Sequence, residues 1–516
     1  MPRTSSALLT GAALAALAFS AGSATAATFI NGGSLVISTT TYSDTGAVAA
    51  LNPASGVAQL PGANAGQSVV PVANGELPNV FNNDGPDASF GVTSAITLDD
   101  VNATSGAVLS SLTINPAIVS TSFSSKSELG LNIAYTASGP VVTFMGYAGG
   151  GVGNLDVSNS DTTAYKDTTN PVTSFFAPSS GQTYAFNRSV VAVSRNGSYT
   201  TTQTLAYGGN NGRNAVLAPN GNYYTVGNSN NGSGTPSQLT TTTGLEVVTP
   251  GSTPNSTMID PTYKSRPGDK AGKDNNFRGL TLYQGNLYFT KGSGSNGIDT
   301  VYEVQGTPTA ANAAAATISI LPGFSTAPAK TQADFTPFGL FFADPTTLYV
   351  ADEGSGDATD ATQNAGLEKW SLVAGVWKLD YTLQSGLIGA TYNVSGSNSG
   401  VAGVWPTVTT VGLRNLTGRL NANGTVTLWA TTATSSASGD NGADPNEIVE
   451  INDLLSDTAL PTTESFSVLD GPQYGLRYGG VAYAVPEPAA WTLMLAGFGG
   501  LGLILRGRRG TMSLAV

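Results

Sequence analysis

Short apolar strands that stop at a Gly-, Asn- or Pro-bearing turn and then resume recur along this chain, and they point to an all-β fold. From Arg278 to Thr290 one strand ends at a Gly285-Asn286 turn and a second returns. The plan recurs from Phe338 to Val350 around Asp344-Pro345 and from Asn214 to Val226 around Asn220-Gly221. A weaker copy runs from Leu416 to Trp429 around Asn423-Gly424. Gly and Asn at such points supply the positive φ of tight hairpin turns, and β-branched and aromatic residues fill the strands between them.

A third strand follows several of these hairpins: Ile298 to Val304, Gly366 to Leu372, and Asn446 to Ile451. The second of these continues into a fourth strand, Trp377 to Thr382. Two inner and two outer strands make an antiparallel blade, and repeated blades make a β-propeller. The expected fold is an all-β propeller over residues 27–484, with six to eight four-stranded blades and about seven as the central value. Seven blades leave about 65 residues each, more than the roughly 40 to 50 of the named blade families. The long connections 227–270 and 383–404 take up the surplus. Tyr478 to Tyr483 reads as an inner strand standing alone, ready to pair with strands near Phe29 to Ser38 and close the ring. Residues 27–200 repeat least clearly, and a separate β-sandwich there is the alternative; for the whole body the alternative is a sandwich pair or a β-solenoid.

Composition removes several kinds of chemistry. The 516 residues include no His and no Cys. Disulfides, Ser-His-Asp and Cys-His catalysis are excluded, and zinc and blue-copper sites lose their usual ligands. Only 10% of residues are charged, against roughly 25% in an average soluble protein. The formal net charge of −12 argues against nucleic acid as a partner, because that needs a broad basic footprint.

Both ends carry targeting signals. Residues 1–26 read as a signal peptide: Arg3, an apolar stretch from Leu8 to Phe19, then Ala24-Thr25-Ala26 as a small-x-small cleavage site. At the other end Val485-Pro486-Glu487-Pro488 precedes an apolar segment from Ala489 to Leu505, which begins with Trp491 near its start and ends at Arg506-Gly507-Arg508-Arg509. That segment has the minimal length for a membrane helix. Arginines retained in the cytoplasm would leave the body on the far side, and the prolines stop the helix from running back into the body. Residues 511–516 form a short tail.

This C-terminal arrangement resembles the PEP-CTERM sorting signal, with Pro486, Glu487, Pro488, Trp491, Arg506, Arg508 and Arg509 as its marks and residues 485–510 as its extent. The tail beyond the arginines departs slightly from the pattern. The resemblance implies a Gram-negative source, export through the inner membrane with transient anchoring by the C-terminal helix, and processing by an exosortase, a membrane cysteine transpeptidase. It also implies association with exopolysaccharide or biofilm matrix at the periplasm, cell surface or beyond.

Two clusters in the body are candidate sites. Lys264, Arg266, Lys270, Lys273 and Arg278 gather basic charge just before an inner strand. At the mouth of a propeller channel they would bind carboxylate or phosphate groups; a solubilising loop is the plainer reading. Asp352, Glu353, Asp357 and Asp360 follow another strand and would offer oxygens to calcium, although their spacing is not that of an EF-hand. A solvated acidic turn is the plainer reading there. Gly292 to Gly297 matches the dinucleotide glycine spacing, but a strand follows instead of the required helix.

The expectation is therefore an exported surface or matrix protein, non-enzymatic, without an obligatory cofactor, and facing extracellular polysaccharide. The alternatives are a propeller enzyme acting on extracellular glycans or phosphoesters through carboxylates or calcium, and a matrix filler without a ligand.

Overall fold

The computed structural model describes residues 28–42, 60–61, 68–69, 91–123, 125–153, 157–160, 186–229, 241–331, 335–356, 365–398, 401–438 and 441–486. Six antiparallel sheets follow one another in a closed ring among these residues. The first blade combines the two ends of the body: Leu476–Tyr483 is innermost, followed by Ser34–Thr41, Ile96–Asn102 and Val108–Ile114. The second runs Asn132–Thr136, Gly139–Ala148, Arg188–Ser194 and Tyr199–Thr204, with Val119–Phe123 and Val92–Ser94 extending it.

The third to sixth blades read straight along the chain, starting at Gly212–Leu217, Leu280–Tyr283, Pro337–Asp344 and Val408–Leu420. The propeller expected from the hairpin pattern is thus present, with six blades where about seven were expected. The surplus length goes into connections, including the hairpin of Ser395–Asn398 with Val401–Val404.

Turn chemistry sets the hairpins. Gln284 (φ 47°) and Gly285 (φ 82°) are the two central residues between paired Tyr283 and Asn286. Two successive positive φ values define the turn whose twist matches that of the strands. Ala374 (φ 53°) and Gly375 (φ 81°) repeat this in the fifth blade.

Ring closure is a pairing of the chain's extremes. Leu35 opposes Tyr483 and Val36 opposes Ala482 in antiparallel register, so the lone strand expected near Tyr478 does meet the N-terminal strand. Each blade presents one apolar face to the next. Leu35, Ile37, Trp429 and Tyr483 fill the joint between the sixth and first blades, and Val36, Leu98, Phe144 and Val191 that between the first and second. Each such buried side chain contributes about 1.5–3 kcal/mol. Four further joints complete the ring, each with its own apolar cluster.

Candidate functional site

The inner strands share a local pattern. Arg213-Asn214-Ala215, Arg278-Gly279-Leu280 and Phe338-Gly339-Leu340 stand at the start of the inner strands of the third, fourth and fifth blades, Arg414-Asn415-Leu416 and Tyr478-Gly479-Gly480 lie within those of the sixth and first, and Leu129-Gly130-Leu131 leads into the second. The middle residue is Gly or Asn because neighbouring backbones converge there. A Cβ at Gly279 would lie 1.7 Å from the Phe338 carbonyl oxygen, and one at Gly339 would lie 2.6 Å from that of Arg414. A Cβ at Gly130 would meet both Asn214 and Asn415, 2.6 and 2.9 Å away. The Asn415 amide donates to the Gly479 carbonyl. These residues form a collar around the axis, and the channel mouth above it becomes a pit.

The pit has a volume of about 520 Å³. The arginines that precede the collar residues line it: Arg213, Arg278 and Arg414, joined by Lys126 from the loop between Val119–Phe123 and Asn132–Thr136 of the second blade. Glu353, at the end of the fifth blade's second strand, lies among them. Arg278 Nη1 is 2.7 Å from its Oε1 and Arg414 Nε is 3.1 Å from its Oε2. Burial pushes the Glu353 carboxyl up, but Arg278, Arg414 and Lys126 together outweigh it and hold it below the usual range. Arg213 is pushed down to about 9, by burial first and then by the like charge of Arg278. Its guanidinium donates to the Asn211 side chain (3.0 Å) and the Phe277 carbonyl (2.8 Å), which fixes its position.

Asp299 also lines the pit and is paired with buried Lys291 at 2.5 Å. Its carboxyl is raised by burial in spite of that partner. Amides and hydroxyls of Asn210, Asn228, Asn276, Ser293 and Thr336 supply the rest of the wall, and no aromatic residue is among the described ones that line it.

Of the basic cluster expected from sequence, only Arg278 reaches the pit. Lys264, Lys270 and Lys273 are exposed on the preceding loop, and Arg266 is tied to Asp269 at 3.0 Å. The acidic loop also divides. Asp352 is buried and accepts from the Thr336 and Gly354 amides, each at 2.8 Å, and from the Thr336 hydroxyl. Glu353 faces the arginines, while Asp357 and Asp360 lie outside the described residues. No three His, Cys, Asp or Glu residues gather around one point among the described residues. Gly292, Ser293 and Gly294, set aside as a nucleotide loop, form part of the pit wall.

Arg213 and Arg414 were missed in the sequence. The signal was there as Arg followed by Gly or Asn and then an apolar residue, repeated in the first strand of separate hairpins.

Pro486 is the last described residue of the C-terminal signal; Glu487, Pro488, Trp491, Arg506, Arg508 and Arg509 lie outside the described residues. Among the described residues no helix is long and apolar enough to cross a membrane. Residues 484–509 match the description of the PEP-CTERM protein-sorting motif. The chain carries a PEP-CTERM sorting motif. Such a motif implies export to the cell envelope or surface and an exosortase as processing partner.

No curated protein matches the sequence. Among solved structures, the N-terminal domain of Nup159 is similar at 10% identity and a TM-score of 0.26, covering 69% of this chain and 89% of its own. A Bombyx mori GH32 beta-fructofuranosidase is similar at 11% identity and a TM-score of 0.28, covering 68% of this chain and 65% of its own. A PL25 ulvan lyase is similar at 10% identity and a TM-score of 0.27, covering 81% of this chain and 98% of its own. Similarity at this level assigns neither activity nor ligand.

Proposed function

We propose that this exported propeller is a binding protein whose pit takes an acidic residue of an extracellular polysaccharide. The observation that carries the reading is the local reversal of charge. Among the described residues that line the pit, Lys126, Arg213, Arg278 and Arg414 stand against two acids, Glu353 and Asp299, within a chain of net charge −12, and Asp299 is already matched by Lys291.

Guanidinium forks suit carboxylate or sulfate oxygens. The surrounding amides and hydroxyls suit sugar hydroxyls. Without an aromatic platform among the described lining residues, a neutral sugar ring has little to stack on. The negative charge of the whole chain opposes a densely charged polymer, so the pit favours a chain end or an isolated acidic unit.

Titration calorimetry with a uronic-acid oligosaccharide and its neutral counterpart of equal length tests this. The acidic ligand binds and the neutral one does not; equal affinity, or none for either, contradicts the reading.

One observation favours a catalytic role. Glu353 is shifted down and Asp299 up within the same cavity, and opposed shifts of two carboxyls mark acid and base partners in glycan-cleaving sites. Turnover of the same oligosaccharide that disappears in Asp299→Asn would establish the enzyme; binding without turnover leaves a binding protein.

A further inference from the structure

A second cluster of titratable groups lies away from the pit, buried between the fifth and sixth blades. Lys369, on Gly366–Val373, places Nζ 2.8 Å from Oδ2 of Asp453, on Ile448–Leu454, and both side chains are fully buried. The same Nζ donates to the Tyr381 hydroxyl at 3.0 Å and the Leu454 carbonyl at 2.7 Å. The Tyr381 hydroxyl donates to Asp453 Oδ1 at 2.6 Å, and the Tyr349 hydroxyl donates to Oδ2. Lys369 Nζ lies 5.8 and 5.3 Å from the Tyr349 and Tyr381 ring centres. A third group completes the set: the Glu464 carboxyl accepts the Leu454 amide at 3.3 Å and stands against the Asp453 carboxyl.

We propose that Lys369 and Asp453 condense to an intramolecular isopeptide bond, with Glu464 carrying the protons. Three features of the cluster lead there. An amine and a carboxyl are held in contact with no freedom to part, which removes the entropic cost of meeting. Water is excluded, so loss of water is favoured and the amide is protected. The charged pair costs desolvation that the neutral amide does not.

The atoms balance. The ammonium gives one proton to the Asp453 carboxylate, leaving amine and acid. The Nζ lone pair forms a bond to Cγ of Asp453. Glu464 takes the second proton from nitrogen and delivers it to the departing hydroxyl. The Cγ–O bond breaks, one water leaves, and nothing is oxidised or reduced. Burial and then the adjoining Asp453 carboxyl raise the Glu464 carboxyl to about 7, which suits a group that accepts and returns a proton near neutrality.

The product would tie the fifth blade covalently to the sixth in a chain that has no cysteine with which to make a disulfide.

Peptide mapping of the exported full chain after unfolding and trypsin digestion decides the matter. Acylated Lys369 resists trypsin, so residues 331–378 emerge as one peptide joined to residues 420–477, with a combined mass lower by one water. Recovery of residues 370–378 and unlinked 420–477 in equal amounts from folded protein overturns the proposal. Lys369→Arg removes the linked species. Glu464→Gln keeps Lys369 and Asp453 and lowers the linked fraction at least tenfold; full linkage in that variant overturns the proton-carrying step. For each variant an unchanged far-UV circular dichroism spectrum distinguishes loss of the bond from loss of the fold.

Discussion

Arg278 crosses from the fourth blade to Glu353 on the fifth, its Nη1 2.7 Å from the carboxylate Oε1, and so fixes two blades and the floor charge of the pit with one contact. Arg278 also donates to Ser293 at 2.9 Å and lies over the Phe338 ring at 5.4 Å. The residue after it, Gly279, lets the backbone of the next blade come close enough for this reach. The pit and the collar are thus one construction.

The collar predicts an asymmetry between glycines. In Gly279→Ala the new Cβ meets the Phe338 carbonyl at 1.7 Å, and two blades must separate to admit it. A loss of about 3 kcal/mol is expected, at the upper end for overpacking. Gly285→Ala sits in a hairpin with positive φ and open space around it, and costs about 1–2 kcal/mol. Thermal denaturation of the two variants ranks them; a milder effect at Gly279 would contradict a closed collar.

Ring closure rests on the joint between the sixth and first blades. Trp429 stacks on Tyr483 with ring centres 5.2 Å apart, and its indole N–H donates to Glu450 at 2.8 Å. Trp429→Ala removes both and is expected to cost about 3–5 kcal/mol. Urea denaturation measures it. A loss below 1 kcal/mol would mean that this joint does not hold the ring.

Buried acids predict that the fold weakens as pH rises. Burial raises Asp352 to about 6 from its ordinary value of 3.8, and it raises Glu246 and Glu368 well above theirs. An acid with a raised folded pKa binds its proton more tightly when folded. Its contribution is complete below pH 4 and is lost as pH climbs through the folded value. For Asp352 alone the loss between pH 4 and pH 7 is on the order of 3 kcal/mol. Glu353, shifted down, opposes this only below its ordinary value. Melting temperature therefore falls from pH 5 to pH 8; a curve that rises over that span would contradict the assigned burial of these groups.

The sorting motif predicts a processing step. Deleting residues 484–516 removes the motif while leaving the strand Leu476–Tyr483 in place. The truncated protein stays folded and is no longer processed, which immunoblotting of envelope and medium fractions reveals. Unchanged processing would disconnect the motif from the protein's route.

How far the sequence revealed this molecule depends on the range of each signal. The hairpins are local: Gly285 and Asn423-Gly424 carry their own backbone preference, although the turn expected at Gly285-Asn286 falls one residue earlier, at Gln284-Gly285, and the strands beside them alternate visibly. Ring closure was legible because Tyr478 to Tyr483 had no neighbour to pair with. The pit was not, because Arg213, Arg278 and Arg414 sit on three different blades and meet only once the ring is closed. Lys264, Lys270 and Lys273 drew attention by adjacency in sequence, yet they project from a loop that misses the channel. Asp352, the last residue of its strand, and Glu353, just beyond it, part ways: one is capped by amides and the other is held by arginines.

The most direct test of the account is the affinity for a uronic-acid oligosaccharide in three proteins, measured at low and at high salt. Arg278→Gln removes a cation and weakens binding about tenfold or more, the loss of one charge-assisted contact. Glu353→Gln removes the competing internal anion and strengthens binding. Wild-type affinity falls as salt rises. If the two substitutions move affinity in the same direction, or if neither moves it, the pit is not the place where this protein meets its ligand.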